Sequence, residues 1–293
     1  MRIAANLNVL DEVEFIERCI KHLRSIGVDL IVLTDIGSLD GTTEIVQQVA
    51  GDPDVHLIQM DRDENPWGFP ERMYERTLAQ FEVDRVLFLD ADEFWLPRNG
   101  NLKETPSIAQ NDALSVRRLN VPLIRDRSLL PVDLSPSNYA NLFVVANPIG
   151  EAERRFQTDP GLAWIMTQIG PKTIINPRTV QGVGMGTHQV MEKGQVNPTV
   201  FWADDVIIAH TPFSSPARFV RKLANIERSM NVFGHRLVGS QAWHWRRWLR
   251  IARDGAVEEE FGRQIMSEER FRAALAEGTI QSVEMVLKTL ASA

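Results

Sequence analysis

Residues 86–95 read VLFLDADEFW, and the rest of the chain is best interpreted outward from this stretch. Four successive apolar residues predict a strand that is buried on both faces, since a strand with one wet face would alternate. Asp90, Asp92 and Glu93 follow at once. In an open α/β sheet, ligands bind beyond the carboxyl ends of the strands, so we expect this acidic cluster to face a crevice.

The spacing of the acidic residues favours a metal site. If the chain stays extended, Asp90 and Asp92 project to the same side, roughly 6 to 7 Å apart. That gap suits one hard divalent cation, with water and phosphate oxygens completing its shell. The alternative is a strand that runs into an acidic surface turn, because clustered carboxylates also occur in structural networks.

Composition limits the other possibilities. With 293 residues and 44% apolar content, the chain can bury a full core. A net charge of -7 argues against nucleic acid or an anionic membrane as a general partner. The single cysteine, Cys19, fits a reducing compartment and is expected to be packed in a helix. No signal peptide or membrane span is recognisable, so we expect a cytoplasmic location.

The first hundred residues predict alternating strands and helices. Buried strands are predicted at 2–9, 29–34, 55–60 and 86–90. The first helix is expected to begin at Asp11 and to stop at Gly27, and two more are expected to end at Ala50 and Phe81. This order predicts an α/β fold whose largely parallel sheet is covered on both faces.

A second candidate site lies in DIGSLDGT, residues 35–42. Asp35 ends the second strand, and a glycine-containing turn then leads into a helix that Asp40 or Thr42 could cap. A carboxylate in this position offers an acceptor for sugar or base hydroxyls, beside backbone N–H groups that suit an anion. An ordinary turn would have the same composition.

Together, HLRSIGVDLIVLTDIGSLDGT and VLFLDADEF resemble the nucleotide-binding half of family-2-type glycosyltransferases with the GT-A fold. The closest pattern is that of a bacterial branch with the motifs NE, DNGSxDGT and DxDEF. The similarity covers about the first 100 residues well and the rest loosely. Two positions depart from the pattern, since Asp11 and Ile36 stand where the family has asparagine.

The resemblance implies an inverting transfer of a sugar from a nucleoside-diphosphate sugar, with Mn²⁺ or Mg²⁺ as cofactor. It implies that Asp92 is the leading metal ligand and that Asp90 contacts ribose or metal-bound water. Asp35 would bind the nucleoside. Glu12 and His22 match the glutamate of NE and a histidine of the first helix, and Glu93 belongs to the acidic motif. The acceptor, whether a carbohydrate, a lipid-linked molecule or a small molecule, is not specified.

The resemblance also suggests three parts: a nucleotide-sugar-binding half at 1–112, an acceptor-side half at 113–235, and a helical C-terminal extension at 236–293. In the second part, residues 114–123 are expected to form a strand with exposed basic residues. Residues 173–190 place three glycines before His188, a candidate substrate contact. A glycine-rich hairpin with a surface histidine is the competing interpretation, and the pattern favours it.

Residues 201–223 hold further candidates. A buried strand over 206–209 ends in His210, which the resemblance marks as a further metal ligand. Ser214 or Ser215 with Pro216 then opens a helix on which Arg218 and Lys222 share a face. These two cations could neutralise a leaving diphosphate, or they could form a solvated helix surface.

An inverting transfer needs a general base near the acceptor hydroxyl, and three carboxylates remain as candidates: Asp204, Asp205 and Glu192. The tail adds SQAWHWRRWLRIARDG, in which Trp245, Trp248 and Ile251 form one stripe. Such a helix can lie peripherally on the inner face of a membrane, but packing onto the domain is favoured. The last residues are expected to cover the sheet or to mediate homo-oligomer formation.

Two other classes of function compete with a glycosyltransferase. A nucleotidyltransferase also builds acidic metal sites on such sheets, although no glycine-rich basic loop follows the first strand. The other is a non-catalytic module that binds a nucleotide or a carbohydrate.

Overall fold

The computed structural model describes residues 1–64, 68–180, 182–184, 187–188, 190–192, 195–196, 200–239 and 241–292, without the side chains of 191, 192, 195 and 196. The strands are β1 Ile3–Val9, β2 Leu30–Asp35, β3 Val55–Gln59, β4 Arg85–Asp90, β5 Glu93–Pro97, β6 Ala113–Val116, β7 Arg118–Asn120, β8 Leu123–Ile124, β9 Phe143–Val145, β10 Lys172–Ile175, β11 Gly182–Val183, β12 Val190–Glu192, β13 Gln195–Val196, β14 Phe201–Trp202, β15 Val206–His210, β16 Ile265–Met266 and β17 Ile280–Ser282.

The α-helices are α1 Ile16–Ser25, α2 Thr42–Val49, α3 Phe69–Gln80, α4 Pro106–Gln110, α5 Ala152–Thr158, α6 Pro216–Phe233, α7 Trp243–Arg253, α8 Val257–Gln264, α9 Glu268–Ala276 and α10 Val283–Leu290. Short 3₁₀ turns occupy Leu102–Glu104, Pro136–Asn141, Trp164–Met166 and Gly234–Arg236.

The central sheet has the strand order β14-β6-β10-β4-β1-β2-β3. Strands β3, β2, β1 and β4 are parallel, β10 is antiparallel to both its neighbours, and β14 is parallel to β6. The predicted α/β class with a mostly parallel sheet is confirmed. Apolar side chains of β1 and β4 are buried on both faces, because helices cover the sheet from either side.

A second, three-stranded sheet in the order β5-β15-β7 continues from the end of β4. Its register aligns Glu93, His210 and Asn120 across the three strands. Paired residues of neighbouring strands point to the same face, so the register alone brings these three side chains together. The single strand expected at 114–123 is wrong, because this segment is divided among β6, β7 and β8 in three different sheets.

The C-terminal helices pack on an aromatic core. Trp248 is 2% exposed, and the rings of Trp164, Phe213 and Phe219 lie 5.1 to 5.8 Å from it. Trp245 and Ile251 are partly buried against the same core, so the tryptophan stripe of α7 faces the protein interior. No helix among the described residues combines the length and the apolar character required to cross a membrane.

The first helix begins later than the sequence suggests. Asp11 has a φ of 59°, which no helix accommodates, and α1 starts at Ile16. The carboxylate of Asp11 is instead used by three neighbours, since it accepts hydrogen bonds from the backbone of Leu39 and from the side chains of Arg62 and Asn225. Gly27 has a φ of 88° and follows the end of α1, as predicted.

Candidate active site

The chain turns immediately after β4, and this turn separates the two aspartates of the acidic motif. Ala91 and Asp92 form the turn, and Glu93 begins β5 in the second sheet. The extended path between Asp90 and Asp92 is therefore wrong. The side chain of Asp90 is 50% exposed and its Oδ2 lies 2.9 Å from Lys172 Nζ, whereas Asp92 is buried.

Asp92 has two carboxylate oxygens in different situations. Its Oδ2 accepts from Arg218 Nη2 at 2.6 Å and lies 3.4 Å from Lys222 Nζ. Its Oδ1 lies 3.7 Å from Nε2 of His210. Burial works to raise the pKa of Asp92, but Lys222 and Arg218 hold that pKa well below its usual range. Asp92 is thus ionised, with one oxygen open.

His210 has its tautomer set by Asn120. The amide nitrogen of Asn120 donates to the carbonyl of Ile165 at 2.9 Å, which leaves the amide oxygen to accept from His210 Nδ1 at 2.7 Å. Nδ1 therefore carries the proton, and Nε2 presents a lone pair toward Asp92. Burial lowers the pKa of His210 well below its ordinary value, so the ring is neutral.

Glu93 is fully buried and both of its oxygens are in use. Oε1 lies 2.5 Å from Arg118 Nη1, and Oε2 accepts from the backbone of Asp90 at 3.0 Å and lies 3.4 Å from Lys172 Nζ. One ligand atom each from Asp92, Glu93 and His210 lie within 4.8 Å of one another. Both oxygens of Glu93 already have partners. The ligand atoms that remain for a cation are therefore Asp92 Oδ1 and His210 Nε2.

These two positions fit a divalent cation. An imidazole nitrogen and a carboxylate oxygen are suitable donors for Mn²⁺, and oxygen is the donor that Mg²⁺ prefers. Two ligands that bind one such ion at right angles are about 3 Å apart. The observed 3.7 Å is close to that separation. A cation at this point would be held by Asp92 Oδ1 and His210 Nε2.

The carboxylates around this position already have cationic partners. Among the described residues, four carboxylates contact four cations: Glu12, Asp90, Asp92 and Glu93 with Arg118, Lys172, Arg218 and Lys222. A divalent ion would therefore add positive charge beside cations that are already present. A ligand that brings its own negative charge would compensate for that addition.

Arg218 lies at the centre of this network. It is 2% exposed, it binds Asp92, and its Nη2 is 2.8 Å from Glu12 Oε2. Glu12 pairs with Arg218 in this structure, and its predicted contact with substrate stays a prediction. Lys222 is 30% exposed, so of the two cations predicted to face a diphosphate only Lys222 is accessible.

Asp35 and His22 both have internal partners. Asp35 is 2% exposed; Oδ1 accepts from Ser38, and Oδ2 accepts from Thr43 Oγ1 at 2.6 Å. It therefore orders the turn that the sequence singled out. His22 is 6% exposed and its Nε2 bonds the carbonyl of Trp95 at 2.7 Å. The side chain of His22 supports β5, and its predicted substrate contact stays a prediction.

The candidate bases are not at this site, as far as they are described. Asp204 and Asp205 precede β15, whereas His210 ends it, and five residues of strand separate them by about 16 Å. Asp205 also accepts hydrogen bonds from the backbone and hydroxyl of Ser107 at the start of α4. Neither aspartate therefore lies beside His210, and the role of general base stays a prediction for both. The side chain of Glu192 lies outside the described residues.

The predicted glycine-rich hairpin is present in its described part, because β11 pairs antiparallel with β12. His188 lies between these two strands in the sequence, half-buried, with Nδ1 bonded to the carbonyl of Pro171. Three residues of the site were missed in the sequence, and one of them is Arg118, which pairs with Glu93. Asn120 and Lys172 lie in short polar segments whose pattern carries no signal, and only the sheet register places them beside the acidic motif.

No protein-family model and no curated protein matches this sequence. Among solved structures, the chain is similar to the 1-349 fragment of S. aureus TarS, with 14% identity and a TM-score of 0.41, over 79% of this chain and 66% of the fragment. It is also similar to GalNAc-T7 in a complex with UDP, GalNAc and Mn²⁺, with 11% identity and a TM-score of 0.42, over 80% of this chain and 48% of that one. The chain thus spans about two thirds of the first and about half of the second. Likenesses at this level identify no family, so the function is argued from the site.

Proposed function

We propose that this protein is a metal-dependent glycosyltransferase that uses a nucleoside-diphosphate sugar. One observation carries the proposal: Asp92 Oδ1 and His210 Nε2 are two open ligand atoms 3.7 Å apart, where β4 and β15 end. Ligands of α/β sheets bind at this edge. The motifs around Asp35 and Asp92 add the resemblance to family-2-type enzymes, which favours inversion at the transferred sugar.

A bound Mn²⁺ or Mg²⁺ would stabilise the negative charge that develops on the diphosphate. Asp92 and His210 would hold it, and Asn120 keeps the histidine nitrogen available. Lys222 adds an accessible positive charge beside this position, because its side chain is partly exposed and its Nζ is only 3.4 Å from Asp92. A cation aimed at a leaving group lowers the barrier in the same way.

The nucleoside would lie toward β1 and β2. Asp90 is half-exposed and pairs with Lys172 through Oδ2, so its carboxylate can also accept a hydrogen bond from a ribose hydroxyl. Asp35 would contribute indirectly, because its carboxylate accepts hydrogen bonds from Ser38 and Thr43 and so orders the turn at 35–42. In the transfer, an acceptor hydroxyl oxygen bonds to the anomeric carbon as the bond from that carbon to the phosphate oxygen breaks, the hydroxyl proton passes to a general base, and the nucleoside diphosphate leaves.

Calorimetry with a panel of sugar nucleotides tests this proposal. We expect the wild type to bind one donor in the presence of Mn²⁺ and the Asp92→Ala variant to lose at least about 100-fold in affinity, as for a lost metal ligand. Asp204→Ala is the matched control, since this exposed aspartate lies at the other end of β15. Equal affinity of the wild type and Asp92→Ala for the sugar nucleotide would show that Asp92 does not hold a metal ion. Pyrophosphate release from a nucleoside triphosphate would instead indicate a nucleotidyltransferase.

A further inference from the structure

An open depression of about 460 Å³ lies between the first turns of α5 and α7. Its volume is within the range of roughly 300 to 1,000 Å³ that is typical of small-molecule sites. We call it the Trp243 depression, after its single aromatic residue. Its lining residues are Glu151, Ala152, Glu153, Arg154, Gln157 and Trp243.

The lining combines one flat apolar ring with planar hydrogen-bonding groups. Trp243 offers an indole surface, while Glu153 and Gln157 are exposed and extend from α5. A sugar ring has the complementary chemistry, since its C–H groups pack on an aromatic face and its hydroxyls bond to carboxylates and amides. A purely apolar ligand would leave these polar groups without partners.

The aromatic surface is held rigidly. The rings of Trp243 and Phe156 are 5.5 Å apart, and Phe156 is buried. The guanidinium of Arg247 lies 4.3 Å from the centre of the Phe156 ring and is fixed by the buried carboxylate of Glu260 at 2.6 Å. A rigid platform loses little conformational entropy when a ligand binds.

A series of contacts connects the Trp243 depression with the candidate active site. His244 follows Trp243 and packs on Trp164, at 5.6 Å between rings. Trp164 begins the 3₁₀ turn whose Ile165 carbonyl accepts from Asn120, the partner of His210. The cations of Lys222 and Arg118 are also near enough to His244 to lower its pKa, in addition to the larger effect of burial.

We propose that the Trp243 depression binds a saccharide, and that this saccharide is the acceptor of the transfer. This inference rests on the function proposed above. The charge of the lining selects among acceptors: Glu151 and Glu153 contribute two carboxylates, and the one guanidinium, Arg154, is paired with Glu151 at 2.6 Å. A phosphorylated or otherwise anionic acceptor would be repelled, so the occupant is a sugar with neutral hydroxyls.

Saturation-transfer NMR with methyl β-glycosides of glucose, galactose and N-acetylglucosamine tests this inference, without donor or metal. We expect a signal in the wild type and about tenfold weaker binding in Trp243→Ala, the order of one aromatic contact. Gln157→Ala should weaken binding about threefold without affecting folding, because the side chain is exposed. Trp202→Ala is the matched control, since Trp202 is 54% exposed at the edge of the central sheet.

The absence of a signal from all three glycosides, or equal binding in the wild type, Trp243→Ala and Gln157→Ala, would overturn the inference. Failure of the proposed function would be recognised separately, because donor binding is measured by calorimetry in Asp92→Ala. If the saccharide signal depends on Trp243 but no sugar nucleotide binds, the depression is a saccharide site and the glycosyltransferase proposal is wrong. If donor binding depends on Asp92 and no saccharide binds, only the acceptor assignment is wrong.

Discussion

Two buried carboxylates of this protein each bind an arginine, yet they differ in what remains open. Glu260 is fully buried: Oε1 bonds Arg247 and Gln264, while Oε2 bonds Arg247 and Arg263, at 2.6 to 3.2 Å. Asp92 concentrates its partners on Oδ2, with Arg218 at 2.6 Å, and leaves Oδ1 facing an unprotonated nitrogen of His210.

The difference separates a structural ion pair from a ligand site. A buried carboxylate with four hydrogen bonds has satisfied the acceptor capacity that burial makes costly to leave unused. A buried carboxylate oxygen that faces a neutral imidazole nitrogen has no donor there, and a cation supplies what both atoms lack. We therefore expect substitutions at Glu260 to change stability and substitutions around Asp92 to change ligand binding.

The largest effect is expected for Glu260→Gln. The change leaves the guanidinium of Arg247, 12% exposed, without its counter-ion, which should lower the free energy of unfolding by about 3 to 5 kcal/mol. Urea unfolding measures this loss. Glu259→Gln is the control, because this glutamate is 66% exposed in its pair with Arg263 and should cost less than about 1 kcal/mol. Equal small losses in both variants would mean that Glu260 is not a structural anchor.

Asn120→Leu should weaken Mn²⁺ binding, measured with donor present, by about 10- to 100-fold, because His210 loses the acceptor that fixes its tautomer. Asn120→Asp is the matched control, since it also loses the bond to Ile165 but retains an oxygen for Nδ1. Nitrogen NMR of the histidine ring reports the tautomer directly. If Asn120→Leu bound Mn²⁺ as tightly as the wild type, Asn120 would not contribute to the metal site.

Two buried histidines differ in the same way as the two carboxylates. Nε2 of His22 is hydrogen-bonded to the carbonyl of Trp95, whereas His210 is hydrogen-bonded through Nδ1 and its Nε2 remains available. Burial lowers the pKa of His22 to about 4, so the unfolded chain binds a proton below pH 6.5 that the folded chain does not bind. This group's contribution to stability is present above pH 6.5 and is lost as the pH falls toward 4.

At pH 5 the protonation of His22 in the unfolded chain should lower the free energy of unfolding by about 2 kcal/mol relative to neutral pH. Urea unfolding of wild type and His22→Gln at pH 7.5 and pH 5 measures it, since glutamine retains a donor for Trp95 and does not titrate. Identical pH dependence in both proteins would show that His22 is not buried neutral.

The smallest effect is expected for Asp205→Ala. Loss of the bonds to Ser107 at the start of α4 should cost about 1 kcal/mol, as for a helix cap, with sugar-nucleotide binding unchanged. Thermal unfolding and donor calorimetry measure the two quantities. A selective loss of donor binding with unaltered stability would restore Asp205 as a residue of the site.

The sequence predicts the first strands of the central sheet well because burial on both faces leaves a clear pattern. The apolar runs before Asp35 and Asp90 identify β2 and β4, and His210 is placed correctly at the end of β15. Asp204 and Asp205 are close to His210 in the sequence, but the extended strand β15 places them far from it, and their role as general base stays a prediction.

What the sequence cannot supply is pairing between strands and helices that are far apart in the chain. The contact of Asp92 with Arg218 spans 126 residues, and that of Asn120 with His210 spans 90. These partners meet because β15 lies between β5 and β7, and because α6 follows β15 directly. The resemblance predicts Asp92 and His210 as ligands. Only the structure shows that Oδ2 of Asp92 is already paired with Arg218.

The central claim is that Asp92 and His210 together hold a divalent cation, and pulsed EPR of Mn²⁺ bound with a sugar nucleotide tests it most directly. We predict a ¹⁴N coupling from a coordinated imidazole in the wild type, its disappearance in His210→Gln, and its retention in His22→Gln. A wild-type spectrum without nitrogen coupling, or one that is unchanged in His210→Gln, would contradict the account.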